Sequence, residues 1–563
     1  MGCQLSHHSK SISYRNSPIS KAKNCPTLSK ILLGGQKVLL MKKRASHHLV
    51  ICTLIDTLRF RLSSRKAISM NAFNKLVKHS KKISNFNHLS SIVGWDQAAV
   101  MPSGGAEARS QAMAELSVHI HGLMTQPQLA DWFAEAESET LNIEQQATLR
   151  EMKRQWQQAT VLPEALVEAQ SLAGSKCEHA WRSQRKNNDW TGFEKNWAEV
   201  VKLSQEEAQI RAEATGKTPY DAMLELYEPG TTTEQLNRVF SDVKTWLPSL
   251  IDVVIEKQSS ESFIAPKGHY PAESQKALGL DVMKLLQFDF NHGRLDESVH
   301  PFCGGVPSDV RITTRYNESE FVQSLMGIVH ETGHARYEQG LPKHLAGTPA
   351  GEARSMGIHE SQSLFFEMQV GRSPAFIAHL AELAGKHFSA MNDPVFRVEN
   401  IQKLYTRVQK DFIRVDADEL TYPAHVILRF EIERDLMNGK IKHTDVPELW
   451  DQKMQAYLGL STKGNDQNGC MQDIHWTDGS FGYFPSYTLG AMYAAQFMAA
   501  MKKTVDVDGA IRRGDLSPIF TWLSENIWSK GSLFSTDELV KQATGETLNP
   551  EHFKAHLSQR YLK

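Results

Sequence analysis

The sequence predicts a mainly α fold. Apolar residues recur at three- and four-residue spacing over most of the chain after position 70, and strand signals are few. The composition, 41% hydrophobic and 23% charged over 563 residues, is that of an ordinary globular protein with a sizeable core. No Gly/Ser/Pro-rich linker, charge block or repeat divides residues 70–563, so they are expected to form one large domain. No apolar run approaches the roughly 18 residues of a membrane helix, so no membrane span is expected.

In chain order, the first element is a basic extension. Residues 1–69 carry 13 Lys and Arg against the single acid Asp56, leaving 50 bases against 63 acids in the rest, a balance of −13. Three readings of the extension stand: a myristoylation pattern at Met1-Gly2-Cys3-Gln4-Leu5-Ser6 with Cys3 as a second acylation site, an organelle transit peptide, or a non-native stretch ahead of a true start at Met70. The last two make it disordered or not native. The acidic body excludes nucleic acid as the main partner. Six cysteines without C-x-x-C spacing indicate neither a disulfide framework nor a thiolate metal site, and they fit reduced thiols in the cytoplasm.

Helices follow at 106–120, 143–170, 190–214, 233–256, 318–339, 352–370, 414–437 and 483–501. The clearest strand is 309–316, β-branched and alternating, preceded by a turn at 304–308. A short strand just before the helix at 318–339 offers either a free edge for an extended peptide or a small structural hairpin.

That helix carries His330-Glu331-Thr332-Gly333-His334, and Gly340-Leu341-Pro342 stops it. Two histidines four apart share one helical face and can grip one metal, with the intervening glutamate alongside. Glu360, 26 positions beyond His334, is a candidate third ligand, and three protein ligands leave the open position of a catalytic zinc site. The alternative is a core helix whose histidines satisfy each other. Glu331 is the natural base. His475, Tyr483 and Tyr487 are candidate oxyanion donors, or else part of an apolar packing stripe. Arg414 is either the anchor of a substrate carboxylate or the partner of Asp418 in an i,i+4 pair.

Taken in order, His300-Pro301-Phe302, Asp309-x-Arg311-x-Thr313, the H-E-x-x-H at 330–334, His359-Glu360-Ser361-Gln362, Ile413-Arg414-x-x-Ala417-Asp418 and Gly469-x-x-Gln472-Asp473-x-His475-Trp476 resemble the thermostable carboxypeptidase Taq family of metallocarboxypeptidases. The resemblance runs from about Met70 to the end, and includes Trp95-Asp96-Gln97 and the stretch 101–109. It implies a mostly helical homodimer with a deep central groove, in which the short strand read above is a small β element beside the zinc helix. It also implies removal of C-terminal residues from peptides with broad specificity, using zinc, with cobalt able to substitute. By this likeness His330, His334 and Glu360 are the ligands, Glu331 the base, Arg414 the carboxylate anchor, and His475 with Tyr483 or Tyr487 the oxyanion donors. Arg311 and His300 line the site. The family usually has Arg where Leu364 stands, a change expected to touch a local ion pair or the groove wall. Two rivals to an exopeptidase remain: an endo-acting oligopeptidase with the same chemistry, and a peptide-binding scaffold without turnover.

Overall fold

The computed structural model describes residues 70–563. Among the described residues the α-helices are, in order, α1 Ala72–Ala99, α2 Ala106–Met124, α3 Gln128–Glu137, α4 Ile143–Thr160, α5 Glu164–Lys186, α6 Trp190–Thr215, α7 Pro219–Leu224, α8 Thr233–Ser259, α9 Ala272–Leu285, α10 Val322–Gly340, α11 Met356–Leu364, α12 Pro374–His387, α13 Val398–Tyr405, α14 Tyr422–Met437, α15 Val446–Leu458, α16 Pro485–Met501, α17 Val507–Arg512, α18 Ser517–Asn526, α19 Thr536–Thr544 and α20 Glu551–Leu562. One sheet interrupts them, with β1 Gly293–Glu297, β2 Cys303–Val306 and β3 Asp309–Thr314 in the order β1-β3-β2. The mainly α expectation holds.

Where the helices depart from the periodicity, a local side chain is responsible. The pattern over 143–170 is broken by Pro163, whose ring and missing N–H separate α4 from α5. The helix expected from 318 starts at Val322, because the Asn317 side chain takes the Ser319 N–H and hydroxyl in a turn of its own. Likewise Asp418 takes the Gln409, Leu420 and Thr421 N–H groups, so residues 414–416 form only a 3₁₀ turn and α14 begins at Tyr422. The helix expected over 352–370 is α11, opened by the Ser355 cap, followed by a π-helical stretch Phe365–Gly371.

The strand at 309–314 does not offer a free edge. It is the central strand, parallel to β1 and antiparallel to β2, and Gly304 to Val306 belong to β2 rather than to the turn. Gly305, at φ 92°, approaches Asp309 too closely for a side chain. Its outward N–H and C=O meet the Ser91 hydroxyl of α1 at 3.1 and 3.0 Å, which covers that part of the β2 edge. The inner face of the sheet packs Val310 and Ile312 against Ile328 and Ala335 of α10.

Most helices share one core, with a smaller cluster joining α1, α3 and α4. Trp476 sits inside the main core, stacked on Trp197 at 5.6 Å and edge-on to Trp450 at 5.5 Å. Its indole N–H donates to Glu433 at 2.7 Å, and its carbonyl accepts from the Trp197 indole at 2.9 Å. The 3₁₀ turn Ile474–Trp476 is thereby fixed at its end.

Glu228 ties two helix starts together. Fully buried, it accepts the Gly357 N–H in the first turn of α11 and the Ser486 hydroxyl, at 2.8 Å, in the first turn of α16. Burial pushes its carboxyl up to about 7, against the hydrogen bonds that lower it. The native state therefore keeps a proton between its ordinary 4.5 and about 7 that the unfolded chain releases, so this group's contribution is greatest below 4.5 and is lost as pH rises towards 7. Glu228→Gln keeps the acceptor and removes the ionisation. Thermal melting from pH 4.5 to 8 should show the variant losing less stability than the parent over that window, by on the order of 3 kcal/mol.

Candidate metal centre

His330 and His334 project from α10 towards Glu360 of α11. Ligand atoms of the three lie within 4.8 Å of one another, and His334 Nε2 is 3.4 Å from Glu360 Oε2. A tetrahedral ion with bonds of about 2.1 Å needs ligand atoms about 3.4 Å apart, so the donors fit a divalent ion with a small closure of the set. Two glycines permit this geometry. A Cβ on Gly333 would lie 2.6 Å from the Gln362 carbonyl oxygen and the Ser363 Cα, so α10 and α11 cross backbone to backbone. On the other side of Glu360, a Cβ on Gly490 of α16 would lie 2.7 Å from its Cγ.

Each imidazole is held by a further chain of groups. His330 Nδ1 faces Glu367 Oε2 at 2.8 Å, and the other Glu367 oxygen accepts from Arg372 at 2.6 Å. The π-helical stretch supplies Glu367. Burial pushes the Glu367 carboxyl up, but Arg372 and His330 outweigh it and hold it down at about 2. His334 Nδ1 lies 2.6 Å from His359 Nδ1, and His359 Nε2 lies 2.8 Å from Glu338. If His334 offers Nε2 to a metal, it must donate from Nδ1, so His359 accepts at Nδ1 and donates from Nε2 to Glu338, a consistent chain of tautomers. The two histidines sit in opposite fields. Burial lowers both, but Glu367, Glu360 and Glu331 raise His330 to about 10, while His334 falls to about 4. The anionic surroundings that favour a proton on His330 equally favour a divalent cation.

Glu331 is 8% exposed, and burial raises it to about 7. The sheet lies close by: the Cys303 thiol of β2 is pushed up by burial and by the charge of Glu331.

Around Glu360 stand the other candidates. Arg414, 5% exposed, has no ion pair with Asp418. It donates from Nε to Asp473 at 3.0 Å and from Nη1 to the Tyr422 hydroxyl at 2.8 Å, and its backbone N–H reaches Gln472 at 2.8 Å. Asp473 also accepts from Arg429 at 2.6 Å. The Arg414 guanidinium lies 5.0 Å from the Tyr487 ring centre, and Tyr487 is 3.3 Å from His475 Nε2. The Tyr483 ring is 5.3 Å from both His475 and Tyr487. Burial, with a contribution from the Glu360 charge, raises the phenols of Tyr422, Tyr483 and Tyr487, Tyr483 to about 12. Burial and Arg414 lower His475 to about 4, leaving it neutral.

Arg311 and His300 are less closely involved. Arg311 spends its fork on Asp309 at 2.9 and 2.8 Å, stacked 4.5 Å from the Trp95 ring centre. His300 is exposed in the bend after β1, with no side-chain partner among the described residues. Leu364 is 3% exposed in the main core, so apolar packing absorbs the change from Arg. Tyr422, Glu367 and Glu338 escape sequence reasoning, although Glu338, four residues after His334, carried a spacing signal.

A helix-borne H-E-x-x-H with a carboxylate from a neighbouring helix defines a metallopeptidase. A family model described as Carboxypeptidase Taq (M32) metallopeptidase matches residues 75–561. Thermostable carboxypeptidase 1 of Thermus thermophilus is 35% identical over 503 residues, covering 87% of this chain and 98% of the relative. Carboxypeptidase 1 of Bacillus subtilis is 35% identical over 492 residues, 85% of this chain and 96% of the relative. The solved structure of Trypanosoma cruzi metallocarboxypeptidase 1 superposes with a TM-score of 0.86 at 46% identity, covering 88% of this chain and 100% of that one. The chain belongs to the carboxypeptidase Taq (M32) family of metallopeptidases and is a metallocarboxypeptidase.

The helix crossing is open to test. Alanine normally stabilises a helix by about 1 kcal/mol over glycine. Gly327, with open space around it, should show that gain on replacement by Ala, whereas Gly333→Ala should lose at least about tenfold in metal affinity while keeping its helical circular dichroism. Thermal melting measures the first and chelator competition the second.

Proposed function

We propose that the enzyme is a zinc carboxypeptidase of broad specificity, in which Glu331 is the general base, Arg414 anchors the substrate's terminal carboxylate, and His475 with Tyr483 or Tyr487 donates to the oxyanion. The observation that carries the carboxylate assignment is a charge imbalance. Asp473 alone lies between two buried guanidinium groups, Arg414 and Arg429, leaving a net positive charge in their cluster. Among the described residues no group accepts from Nη2 of Arg414, so one arm of the fork is free for a substrate oxygen.

His330, His334 and Glu360 would hold the ion, and two nitrogens with one oxygen suit zinc, with cobalt able to substitute. When bound, such an ion lowers the pKa of its water towards roughly 7 and polarises the scissile carbonyl. Glu331, buried between the two histidines, is placed to accept the water proton and to return it to the leaving amine. Neutral His475 and the raised phenols of Tyr483 and Tyr487 keep their protons for donation. Arg311 and His300 belong to the outer wall of the substrate path. Homodimerisation is the assembly that the family resemblance supports. A cytoplasmic location is supported by the free thiols of Cys177, Cys303 and Cys470, and no helix is long and apolar enough to cross a membrane among the described residues. Of the two ends of a peptide, the buried positive cluster selects the free carboxylate, which favours an exopeptidase over an endo-acting enzyme.

Glu331→Gln should keep its metal and lose several orders of magnitude in kcat; near-parental turnover would remove Glu331 as base. Arg414→Gln should lose roughly 10²- to 10³-fold in kcat/KM on a peptide with a free C-terminus but little on the amidated twin. Equal losses on both peptides would remove it as anchor. Product analysis with and without a chelator separates all of these from a scaffold without turnover.

A further inference from the structure

Behind the metal centre lies a second recess, separate from the Arg414 cluster. It is a cavity of about 460 Å³ between the π-helical stretch, the start of α12, the end of α16, α17 and α20. This volume is within the range of small-molecule sites. Arg372, Lys502, Arg512, Arg560 and Lys563 line it against the acid Asp508 and the terminal carboxylate of Lys563. The surrounding protein makes this notable, because residues 70–563 carry a balance of −13.

The cations are incompletely matched. Arg560 is spent on buried Glu419 at 2.8 Å, which also accepts from His556 at 2.5 Å and Tyr561 at 3.1 Å. Lys502 reaches Asp508 only at 3.7 Å, with both largely exposed. Arg512 has no ion pair among the described residues. Arg372 donates to Glu367 at 2.6 Å and to the Tyr405 carbonyl at 2.9 Å, yet its buried Nε–H has no acceptor among the described residues. An unmatched buried donor on a charged fork is costly, and an anionic oxygen is what would satisfy it. The 14-residue helix α12 also opens at the cavity wall. Pro374 has no N–H, so Ala375 supplies the second-position donor that a helix start leaves free, with the positive end of the helix dipole behind it.

We propose that this cavity is a binding site for a compact anion, a phosphoryl group or a dicarboxylate, held between Arg372 and the exposed cations Lys502 and Arg512. The occupant sits one ion pair from Glu367, the carboxylate that orients His330.

The test is isothermal titration of the metal-loaded full chain at low ionic strength, with inorganic phosphate and succinate in separate arms. A saturable binding event is expected for at least one anion, weakened about tenfold or more in the Lys502→Gln/Arg512→Gln double variant, whereas any binding at Arg414 or the metal centre is the same in parent and variant. Both replaced side chains are exposed, so the variant should keep its melting temperature and its hydrolytic activity. Phosphate alone binding assigns a phosphoryl ligand, succinate alone a dicarboxylate, and both a site that reads charge without shape. No saturation by either anion up to about 10 mM, or equal binding by parent and double variant, overturns the proposal.

Discussion

The close crossing of α10 and α11 at Gly333 is the constraint on which the rest of the site depends. Two histidines on one helix give only two ligands, and the third must come from a helix whose backbone lies almost against the first. Any side chain at 333 would meet the main chain of Gln362 and Ser363, which cannot swing aside as a side-chain tip can. Gly490 repeats the requirement on the opposite flank, so Glu360 lies between α10 and α16 with little freedom to rotate. Through the same crossing the chain leaving α11 runs beside His330, which is how Glu367 reaches that ring from a wider helical turn.

The supporting groups divide the two histidines by charge. His330 is backed by a carboxylate that a guanidinium already neutralises in part, whereas His334 is backed by the His359 imidazole and only then by Glu338. The two histidines are therefore asymmetric in basicity although symmetric in sequence. A similar economy marks the Arg414 cluster, where Trp476 fixes the turn beside His475 and Asp473 orients two arginines at once.

The parts of the site legible in the sequence were those that a single helix determines. Spacing alone directs His330 and His334 to one side and places Glu331 between them, and the crossing then brings Glu360 to them as expected. The setting of Arg414 was not legible, because its partner Asp473 lies 59 residues away and only tertiary packing joins them. The local rule suggested Asp418 instead, whose carboxylate is spent on backbone N–H groups. Strand 309–314 was visible but its place in the sheet was not, since β1 pairs with it in parallel from an earlier segment. The π-helical widening after Leu364 leaves no periodic mark distinct from an ordinary helix, whereas Pro163 did carry a break that the apolar pattern overrode.

The Asp473 cluster has a cost that is paid in every resting molecule. One carboxylate between two buried guanidinium groups leaves a cation out of water with no counter-ion of its own. Such a chain holds part of its folding free energy in reserve, and the terminal carboxylate proposed to bind at Arg414 is a group that would release it. A more stable version of this enzyme is easy to imagine, with an apolar side chain at 414, and under the anchoring role proposed for Arg414 it would have lost its means of telling the end of a peptide from the middle.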